Sequence, residues 1–235
     1  MMNPFPLLLV IDTCGPSGSV ALGRIPGRDL EVYGQTELAG RSYSATLIAA
    51  IAELLGAAGV GVRDLDGIVV VNGPGSFTGV RVGVSAAKGL AQGAEIPVVA
   101  LSRLDVLARK AGAPWAALDA HRGEVYLRRE RSGSEPVEML AGAEELAGIF
   151  PLPARVAVCD EGAAALLAGV WPQTQLVRTT PPLAADTFRA GEARLIAGGA
   201  VELARLDGHY LRRSDAEIFG ADVVAQAAAA EEKSA

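Results

Sequence analysis

Two aspartates, Asp12 and Asp119, have the setting in this sequence that is best suited to chemistry. Each ends a short apolar run and precedes a tight turn, in the stretches LLVIDTCGPSGSVAL (residues 8–22) and WAALDAHRGEVYLRR (residues 115–129). Carboxylates at strand ends that face one cleft can flank a phosphate group or hold Mg²⁺, and Thr13 is a further candidate phosphate contact. The alternative is that both aspartates only end their strands and accept hydrogen bonds from turn N–H groups.

A glycine-rich stretch at residues 72–91, NGPGSFTGVRVGVSAAKGLA, is the second candidate site. Ser76 is the expected N-cap of a helix, and the N–H groups that follow an N-cap can attract an anion. The stretch lacks the lysine that a Walker loop requires, and it is not a GxGxxG motif. We therefore predict no phosphate loop, and Ser76 is kept only as a candidate phosphate or nucleotide contact.

The remaining composition argues against metal, nucleic-acid and membrane binding. The two histidines, His121 and His209, do not have a zinc-binding spacing, and Cys14 and Cys159 form no CxxC motif, so no metal site and no disulfide are predicted. The net charge is −6, and no basic run is present that could hold a phosphate backbone. The N-terminal apolar run is too short for a signal peptide or a membrane span, so a cytoplasmic protein is expected.

The order of elements predicts an α/β protein made of two similar halves. Each half opens with a strand that ends in aspartate, a turn and a returning strand, which indicates an internal duplication; two unrelated hairpins are the alternative. The first half continues with helices at 42–58 and 76–92, and the second half ends in a long helix from about Asp186 to Arg205. The expected divisions are a first lobe with partner-binding helices at 1–105, a second lobe at 106–220 and a frayed tail at 221–235.

The helices at 42–58 and 76–92 carry more apolar surface than their own sheet can cover. Glycine inside a helix costs about 1 kcal/mol relative to alanine, and Gly79 and Gly83 leave a smooth side against which another backbone can pack. We expect these helices to form a surface for a partner, although they could instead cover only each other and the sheet. The residues expected in this surface are Tyr43, Leu47, Ile48, Ile51, Leu55, Gly79, Val80, Gly83, Val84 and Ala87.

Four stretches resemble the TsaB (YeaZ) family of tRNA threonylcarbamoyladenosine biosynthesis proteins. They are LLVIDTCGPSGSVAL, VVNGPGSFTGVRVGVSAAKGLA, ALDAHRGEVYLRR and the late HYLRR. The resemblance spans residues 7–213 and is most specific at GPGSFTGVR, residues 73–81. It implies a two-lobed actin-like ATPase fold with duplicated βββαβα-type lobes, as in sugar kinases and heat-shock chaperones.

The resemblance also implies a function without chemistry of its own. Members of the family are partner or scaffold subunits of the bacterial complex that makes N6-threonylcarbamoyladenosine at position 37 of tRNAs reading ANN codons. They pair with and activate the catalytic subunit TsaD, a TsaE-type ATPase joins them, and they form homodimers when alone. For this chain, the resemblance implies tRNA contact only through the complex, no intrinsic cofactor, and ATP or ADP at a subunit junction as the candidate ligand.

Departures from the catalytic sister support a non-catalytic role. Arg103 and Leu107 stand where the TsaD subunit carries two metal-binding histidines, and neither can replace imidazole as a ligand. Tyr43 stands where many family members have histidine. The alternative hypothesis is a small ATPase or kinase of the actin-like fold that acts on a phosphate-containing substrate through Asp12 and Asp119.

Overall fold

The chain repeats one order of secondary-structure elements. The computed structural model describes residues 5–27, 29–40, 42–130 and 133–212. The first unit consists of β1 (Leu8–Asp12), β2 (Ser17–Arg24), β3 (Glu31–Ala39), α1 (Tyr43–Ala57), β4 (Gly67–Val71), α2 (Phe77–Ala94), β5 (Val98–Leu101) and α3 (Arg103–Ala111). The second unit consists of β6 (Trp115–His121), β7 (Glu124–Arg129), β8 (Val137–Ala141), α4 (Ala143–Ala147), β9 (Arg155–Val158), α5 (Glu161–Val170), β10 (Gln175–Arg178) and α6 (Phe188–Ile196).

Each unit forms one five-stranded sheet, and the two sheets have the same strand order. The order is β3-β2-β1-β4-β5 in the first sheet and β8-β7-β6-β9-β10 in the second. In both, the first three strands pair antiparallel and the last two join parallel to the first strand. The predicted α/β class and the internal duplication are confirmed, and Asp12 and Asp119 hold equivalent places near the ends of β1 and β6.

The last helix of each unit packs against the sheet of the other unit. Leu104 and Leu107 of α3 lie in a buried cluster with Ala116, Leu118 and Ala157 of the second sheet. Conversely, α6 covers the first sheet: Phe188 and Leu195 belong to the first lobe's core. The two lobes therefore complete each other's hydrophobic cores. The predicted boundary between residues 105 and 106 falls inside α3.

Helices α1 and α2 lie on the opposite side of the first sheet from α6. A Cβ at Gly83 of α2 would face Ile11, whereas a Cβ at Gly191 of α6 would meet Val69. Ile11 pairs with Val70 in the sheet, so Ile11 and Val69 point to opposite faces because side chains alternate along a strand. The central strands β1 and β4 of the first sheet are thus buried on both sides, in agreement with their continuous apolar sequence.

Local signals fix the ends of two functionally important helices. The Ser76 hydroxyl accepts a hydrogen bond from the Gly79 N–H at 3.3 Å and caps α2, as predicted. The Ser102 hydroxyl caps α3 by accepting from the Leu104 N–H at 3.1 Å. Gly112 ends α3 in the left-handed conformation, with φ of 58°.

The predicted helix from Asp186 to Arg205 is wrong. A short 3-10 helix at Ala184–Thr187 precedes α6, and α6 ends at Ile196. Gly198 adopts φ of +74°, which breaks the helix, and the N–H of Gly199 turns back to the carbonyl of Arg194. Strands β8 and β10 were not predicted. The predicted frayed tail at 221–235 lies outside the described residues.

Among the residues that the structure describes, no helix has the length and apolar character needed to cross a bilayer.

Candidate functional site

Asp12 is buried at the end of β1 and forms a turn. Its Oδ1 accepts a hydrogen bond from the backbone N–H of Cys14 at 2.9 Å, and the residue is only 2% exposed. The Nε atom of Arg103 lies 3.8 Å from Asp12 Oδ2. Burial raises the pKa of Asp12, although the Arg103 charge and the Cys14 hydrogen bonds act in the opposite direction.

Asp119 occupies the equivalent turn in the second lobe. Its Oδ1 accepts a hydrogen bond from the backbone N–H of His121 at 2.7 Å. Asp12 makes the same contact with Cys14, and in both turns the donor lies two residues after the aspartate. The backbone N–H of Asp119 donates to Asp160 Oδ2 at 3.0 Å. A Cβ at Gly162 would overlap the Asp119 carboxylate, which therefore packs against the start of α5. Both aspartates have the turn-forming role that was the alternative to phosphate binding, and a phosphate contact for either stays a prediction.

Thr13 and Ser76 join the β1–β2 turn to α2. The hydroxyl of buried Thr13 donates to the carbonyl of Gly79 at 2.7 Å, and the Ser76 N–H donates to the carbonyl of Cys14 at 2.8 Å. A Cβ at Gly79 would overlap the Thr13 carbonyl oxygen, and a Cβ at Gly83 would overlap the Thr13 hydroxyl. The smooth side of α2 is therefore filled by the chain's own turn and not by a second helix.

Arg103, the first residue of α3, lies against the end of β1 and the turn that follows it. It is 6% exposed, and its backbone N–H donates to the carbonyl of Gly73 at 2.6 Å. Its charge opposes the effect of burial on Asp12 in the first lobe and on Cys159 at the end of β9 in the second. Burial raises the pKa of Cys159 to about 11 despite this opposing charge.

The hydroxyl of Tyr43, the first residue of α1, contacts the turn that follows Asp12. Tyr43 donates a hydrogen bond to the carbonyl of Gly15 at 2.9 Å. Burial, and to a lesser degree the Asp12 charge, raises the pKa of Tyr43 to about 12, so the phenol is neutral at physiological pH. Tyr43 thus acts as a hydrogen-bond donor that holds the β1–β2 turn against α1.

The residues around Asp12 do not fit the Mg²⁺ that the resemblance to actin-like ATPases would place there. A Cβ at Gly15 would overlap the guanidinium of Arg103, so the arginine fills the space between this turn and Asp12. A fixed cation at this distance repels a divalent ion. Within the described ranges, no group of three histidine, cysteine or acidic side chains could hold a metal ion.

The structure buries nine of the ten residues predicted for a partner surface. These nine side chains or glycines form part of the first lobe's own core, and only Ile48, at 55% exposure, reaches solvent. The apolar faces of α1 and α2 are covered by the first sheet and by the β1–β2 turn, which the sequence pattern did not reveal. The nine residues are thus covered within the single chain, and their contact with a partner stays a prediction.

The exposed sides of α1 and α2 differ in character. On α1, the exposed residues Ala45, Ile48, Ala49 and Ala52 have the spacing of one helix face. On α2, the guanidinium of Arg81 lies 3.9 Å from the ring centre of Phe77. We call the four α1 residues together with Phe77 and Arg81 the helix surface.

A C-terminal segment at Asp207–Arg212, here called the strap, was not predicted to contribute to the site. The His209 N–H donates to the carbonyl of Asn72 at 2.7 Å, and the Tyr210 ring lies 5.0 Å from Phe77. Glu138 of β8 accepts hydrogen bonds from Ser102 at 2.7 Å and contacts His209 Nε2 at 2.9 Å. The strap thus ties both lobes together beside the cap of α3. The HYLRR motif marked this segment in the sequence, but only as a family resemblance.

A polar cleft of about 520 Å³ lies next to this junction. Asp105 on its wall accepts a hydrogen bond from Arg128 Nη2 at 2.8 Å and another from Arg109 Nε at 2.8 Å. Burial alone would raise the pKa of Asp105, but the two arginines outweigh it and lower the pKa below its usual value. The cleft is lined by both acidic and basic side chains, so its walls largely neutralise each other.

Comparison with known proteins places these features in a family. A family model described as TsaD, tRNA N6-adenosine threonylcarbamoyltransferase, matches residues 33–144. The chain is 39% identical over 125 residues to the tRNA threonylcarbamoyladenosine biosynthesis protein TsaB of Escherichia coli. The aligned stretch covers 51% of this chain and 52% of that protein. It is 32% identical over 163 residues to an uncharacterized protein of Mycobacterium tuberculosis, and this alignment covers 62% of this chain and 76% of that protein.

A solved structure supports the same assignment over a longer range. A protein of Pseudomonas aeruginosa, described as similar to peptidase YeaZ, superimposes with a TM-score of 0.72 and 28% identity, covering 88% of this chain and 100% of that one. The two-lobed actin-like α/β fold expected from the sequence is confirmed. The chain spans about half the length of the E. coli relative that it matches, because the aligned stretch covers 52% of that protein.

Proposed function

Because this chain belongs to the TsaB (YeaZ) family, we propose that it is a non-catalytic partner subunit in the synthesis of N6-threonylcarbamoyladenosine at position 37 of tRNA. In this proposal the chain binds and activates a TsaD-type transferase, which performs the chemistry. The observation that supports it most directly is the pair of Asp12 and Arg103, since a carboxylate neutralised by a buried arginine is unsuited to hold metal-bound nucleotide.

Other positions at which an enzyme of this fold would bind metal or substrate are also unsuited to do so. Arg103 and Leu107 replace the two histidines expected of the transferase, and the Leu107 side chain is fully buried in the core between α3 and the second sheet. The Asp119 carboxylate accepts a hydrogen bond from the His121 N–H in its own turn, and its Oδ2 lies 3.1 Å from His121 Nδ1. An enzyme with this fold needs charged groups that are free to meet substrate, and these contacts engage the two best candidates.

The helix surface supports a role in association. Ile48 is a large apolar side chain at 55% exposure, and the alanines beside it allow a second helix to approach closely. Phe77, at 38% exposure, adds an aromatic ring under the Arg81 guanidinium. Aromatic and arginine side chains are enriched at the centres of protein interfaces. We place the contact with the transferase, and a homodimer in its absence, on this surface.

The wider assembly follows the family. The proposal includes a TsaE-type ATPase as a further partner, tRNA contact only through the complex, ATP or ADP at a subunit junction, and a cytoplasmic setting. The net charge of −6 supports indirect contact with tRNA, because counterion release requires clustered basic residues that this chain does not have in its sequence.

Replacement of Ile48 by aspartate tests the proposal. The Ile48→Asp variant should fold normally, since the side chain is exposed, but should bind a TsaD-type subunit of the same organism at least tenfold more weakly, because a charge would be buried in the contact. Modification of tRNA by the reconstituted complex should fall in parallel. The matched control is Ile196→Asp, an isoleucine at 54% exposure on α6, which should leave both binding and modification unchanged.

Two outcomes would contradict the proposal. The first is equal binding and tRNA modification by the wild type and by Ile48→Asp. The second is ATP turnover by the purified chain that is lost in Asp119→Asn, which would favour the alternative of a small ATPase or kinase. The Asp119 substitution is informative because the side chain shapes an exposed turn, and its replacement leaves the core intact.

A further inference from the structure

We propose that Arg103 is a built-in cation, whose guanidinium takes the position beside Asp12 that a divalent metal ion would otherwise hold between the two lobes. The chain would then be a metal-independent form of the actin-like cleft, in which an internal ion pair ties the end of β1 to the start of α3. This inference does not depend on which partner the protein binds.

The backbone fixes where the Arg103 side chain can go. Arg103 is the first residue of α3, directly after its N-cap Ser102, and its N–H is held by the carbonyl of Gly73 at 2.6 Å. From this point the side chain runs beneath the β1–β2 turn, where Gly15 leaves room for the guanidinium because it has no Cβ. An alanine at Gly15 would occupy the same space as the arginine.

Arg103 acts on Asp12 as a counter-charge and not as a hydrogen-bond donor. The Nε atom lies 3.8 Å from Asp12 Oδ2, within ion-pair range but too far for a hydrogen bond, and Nε has no hydrogen-bond partner among the described residues. Both side chains are more than nine-tenths buried. A buried carboxylate requires a compensating cation, and Arg103 supplies it from the position at which α3 enters the second lobe.

The charges around this pair leave no net attraction for a second cation. The Arg103 charge acts on Cys14, Tyr43 and Cys159, and burial raises the pKa of each, so all three are neutral at physiological pH. Asp12 and Arg103 therefore balance each other. A divalent ion would add two positive charges to a buried and already neutral cluster, which is unfavourable in a low-dielectric environment.

Removal of the arginine should convert the pair into a metal site. Without Arg103, the Asp12 carboxylate would remain buried without a counter-charge, beside the space that the guanidinium had filled. A hard divalent cation such as Mn²⁺ or Mg²⁺ prefers carboxylate and carbonyl oxygens, and the Ser17 carbonyl lies next to this space. Such an ion should bind there and restore part of the lost stability.

The experiment compares melting temperatures of four full-length proteins with and without millimolar Mn²⁺. Wild type and Arg103→Lys should not respond to Mn²⁺, since both retain a cation beside Asp12. Arg103→Ala should melt at a lower temperature than wild type and should recover part of that loss when Mn²⁺ is added. Asp12→Asn combined with Arg103→Ala should lose this response, because the carboxylate ligand is gone.

Paramagnetic broadening of amide resonances gives a readout that does not require the alanine variant to fold. In wild type, Mn²⁺ should leave the signals of Thr13, Cys14 and Gly15 unbroadened. Broadening of these signals in wild type that disappears in Asp12→Asn would overturn the proposal. A folded Arg103→Ala protein that melts at the same temperature with and without Mn²⁺ would overturn it equally.

Discussion

The hydroxyl of Thr13 donates a hydrogen bond of 2.7 Å to the carbonyl oxygen of Gly79, and this contact seats the end of β1 directly on α2. The two residues are 66 positions apart in the chain. The contact requires glycine at position 79, because any Cβ there would overlap the Thr13 carbonyl oxygen. The stability that glycine loses inside a helix is thus offset by a close approach within the same lobe.

Substitution of Gly79 should therefore destabilise the protein. Gly79→Ala should lower the free energy of unfolding by about 1–3 kcal/mol, since a backbone oxygen cannot move aside easily. Gly89→Ala in the same helix is the control: nothing lies within 4 Å of its added Cβ, so it should raise stability by up to about 1 kcal/mol. Urea unfolding of both variants measures the difference, and equal effects would contradict this account of α2.

The Asp105 carboxylate should make stability depend on acidic pH. Its pKa is lowered in the folded protein by Arg109 and Arg128, so the stability that it contributes is present above its ordinary pKa and is lost as the pH falls through the folded pKa. Asp105→Asn should cost about 1–3 kcal/mol at neutral pH, because hydrogen bonds to a charged group are removed. The difference from wild type should shrink towards pH 3.

A surface ion pair provides the comparison for Asp105. Glu161 also has a lowered pKa, owing to its hydrogen bonds with Arg178, but both side chains are exposed. Glu161→Gln should give no measurable change in urea unfolding at any of these pH values, since solvent screens exposed pairs. A pH-independent cost of Asp105→Asn would show that its arginine contacts do not carry the effect.

The strap should be held in place by Glu138. Glu138→Ala removes the acceptor of Ser102 and the partner of His209, so it should cost about 1–2 kcal/mol and speed hydrogen exchange at the His209 amide. Glu135→Ala, at an exposed position just before the same strand, is the control and should leave that exchange rate unchanged. Normal protection of His209 in Glu138→Ala would mean that the other strap contacts, among them the backbone bond to Asn72 and the Tyr210 ring against Phe77, hold the strap without Glu138.

The two cysteines should react slowly while the protein is folded. Burial raises the pKa of Cys159 from 9.0 to about 11, so at pH 8 the reactive thiolate should be about 100-fold scarcer than in an unfolded chain. Cys14 is buried, and this burial raises its pKa well above the ordinary value. Alkylation with iodoacetamide, followed by mass spectrometry of the single variants Cys14→Ser and Cys159→Ser, separates the two thiols. Labelling of native Cys159 at the unfolded rate would refute this expectation.

The sequence predicted those features that depend on local pattern. The apolar runs that end in Asp12 and Asp119 predicted both hairpins, and Ser76 predicted the cap of α2. These signals lie within a few residues of the structure that they specify. For the same reason the break after α6 was missed, because Gly198 and Gly199 stand inside an otherwise helical pattern and glycine is tolerated in helices elsewhere in this chain.

The sequence could not show which part of the chain packs against each apolar helix face. Periodicity showed that α1 and α2 are apolar on several sides, but it did not show that the Thr13 turn and the first sheet would cover nine of the ten residues expected to meet a partner. Arg103 was noticed only as a missing histidine, because its ion pair with Asp12 joins distant parts of the chain. Contacts of this kind are set by topology, which a single sequence does not encode in any local window.

The crossing of α3 and α6 between the sheets has a consequence for synthesis on the ribosome. One apolar face of the first sheet stays uncovered until Phe188 and Leu195 of α6 have been synthesised. This happens long after the five strands of that sheet have been made. A nascent chain of the first hundred residues should therefore bind chaperones and resist folding until α6 has emerged. Severing the gene between the two repeats should yield fragments that are insoluble apart and recover only when expressed together.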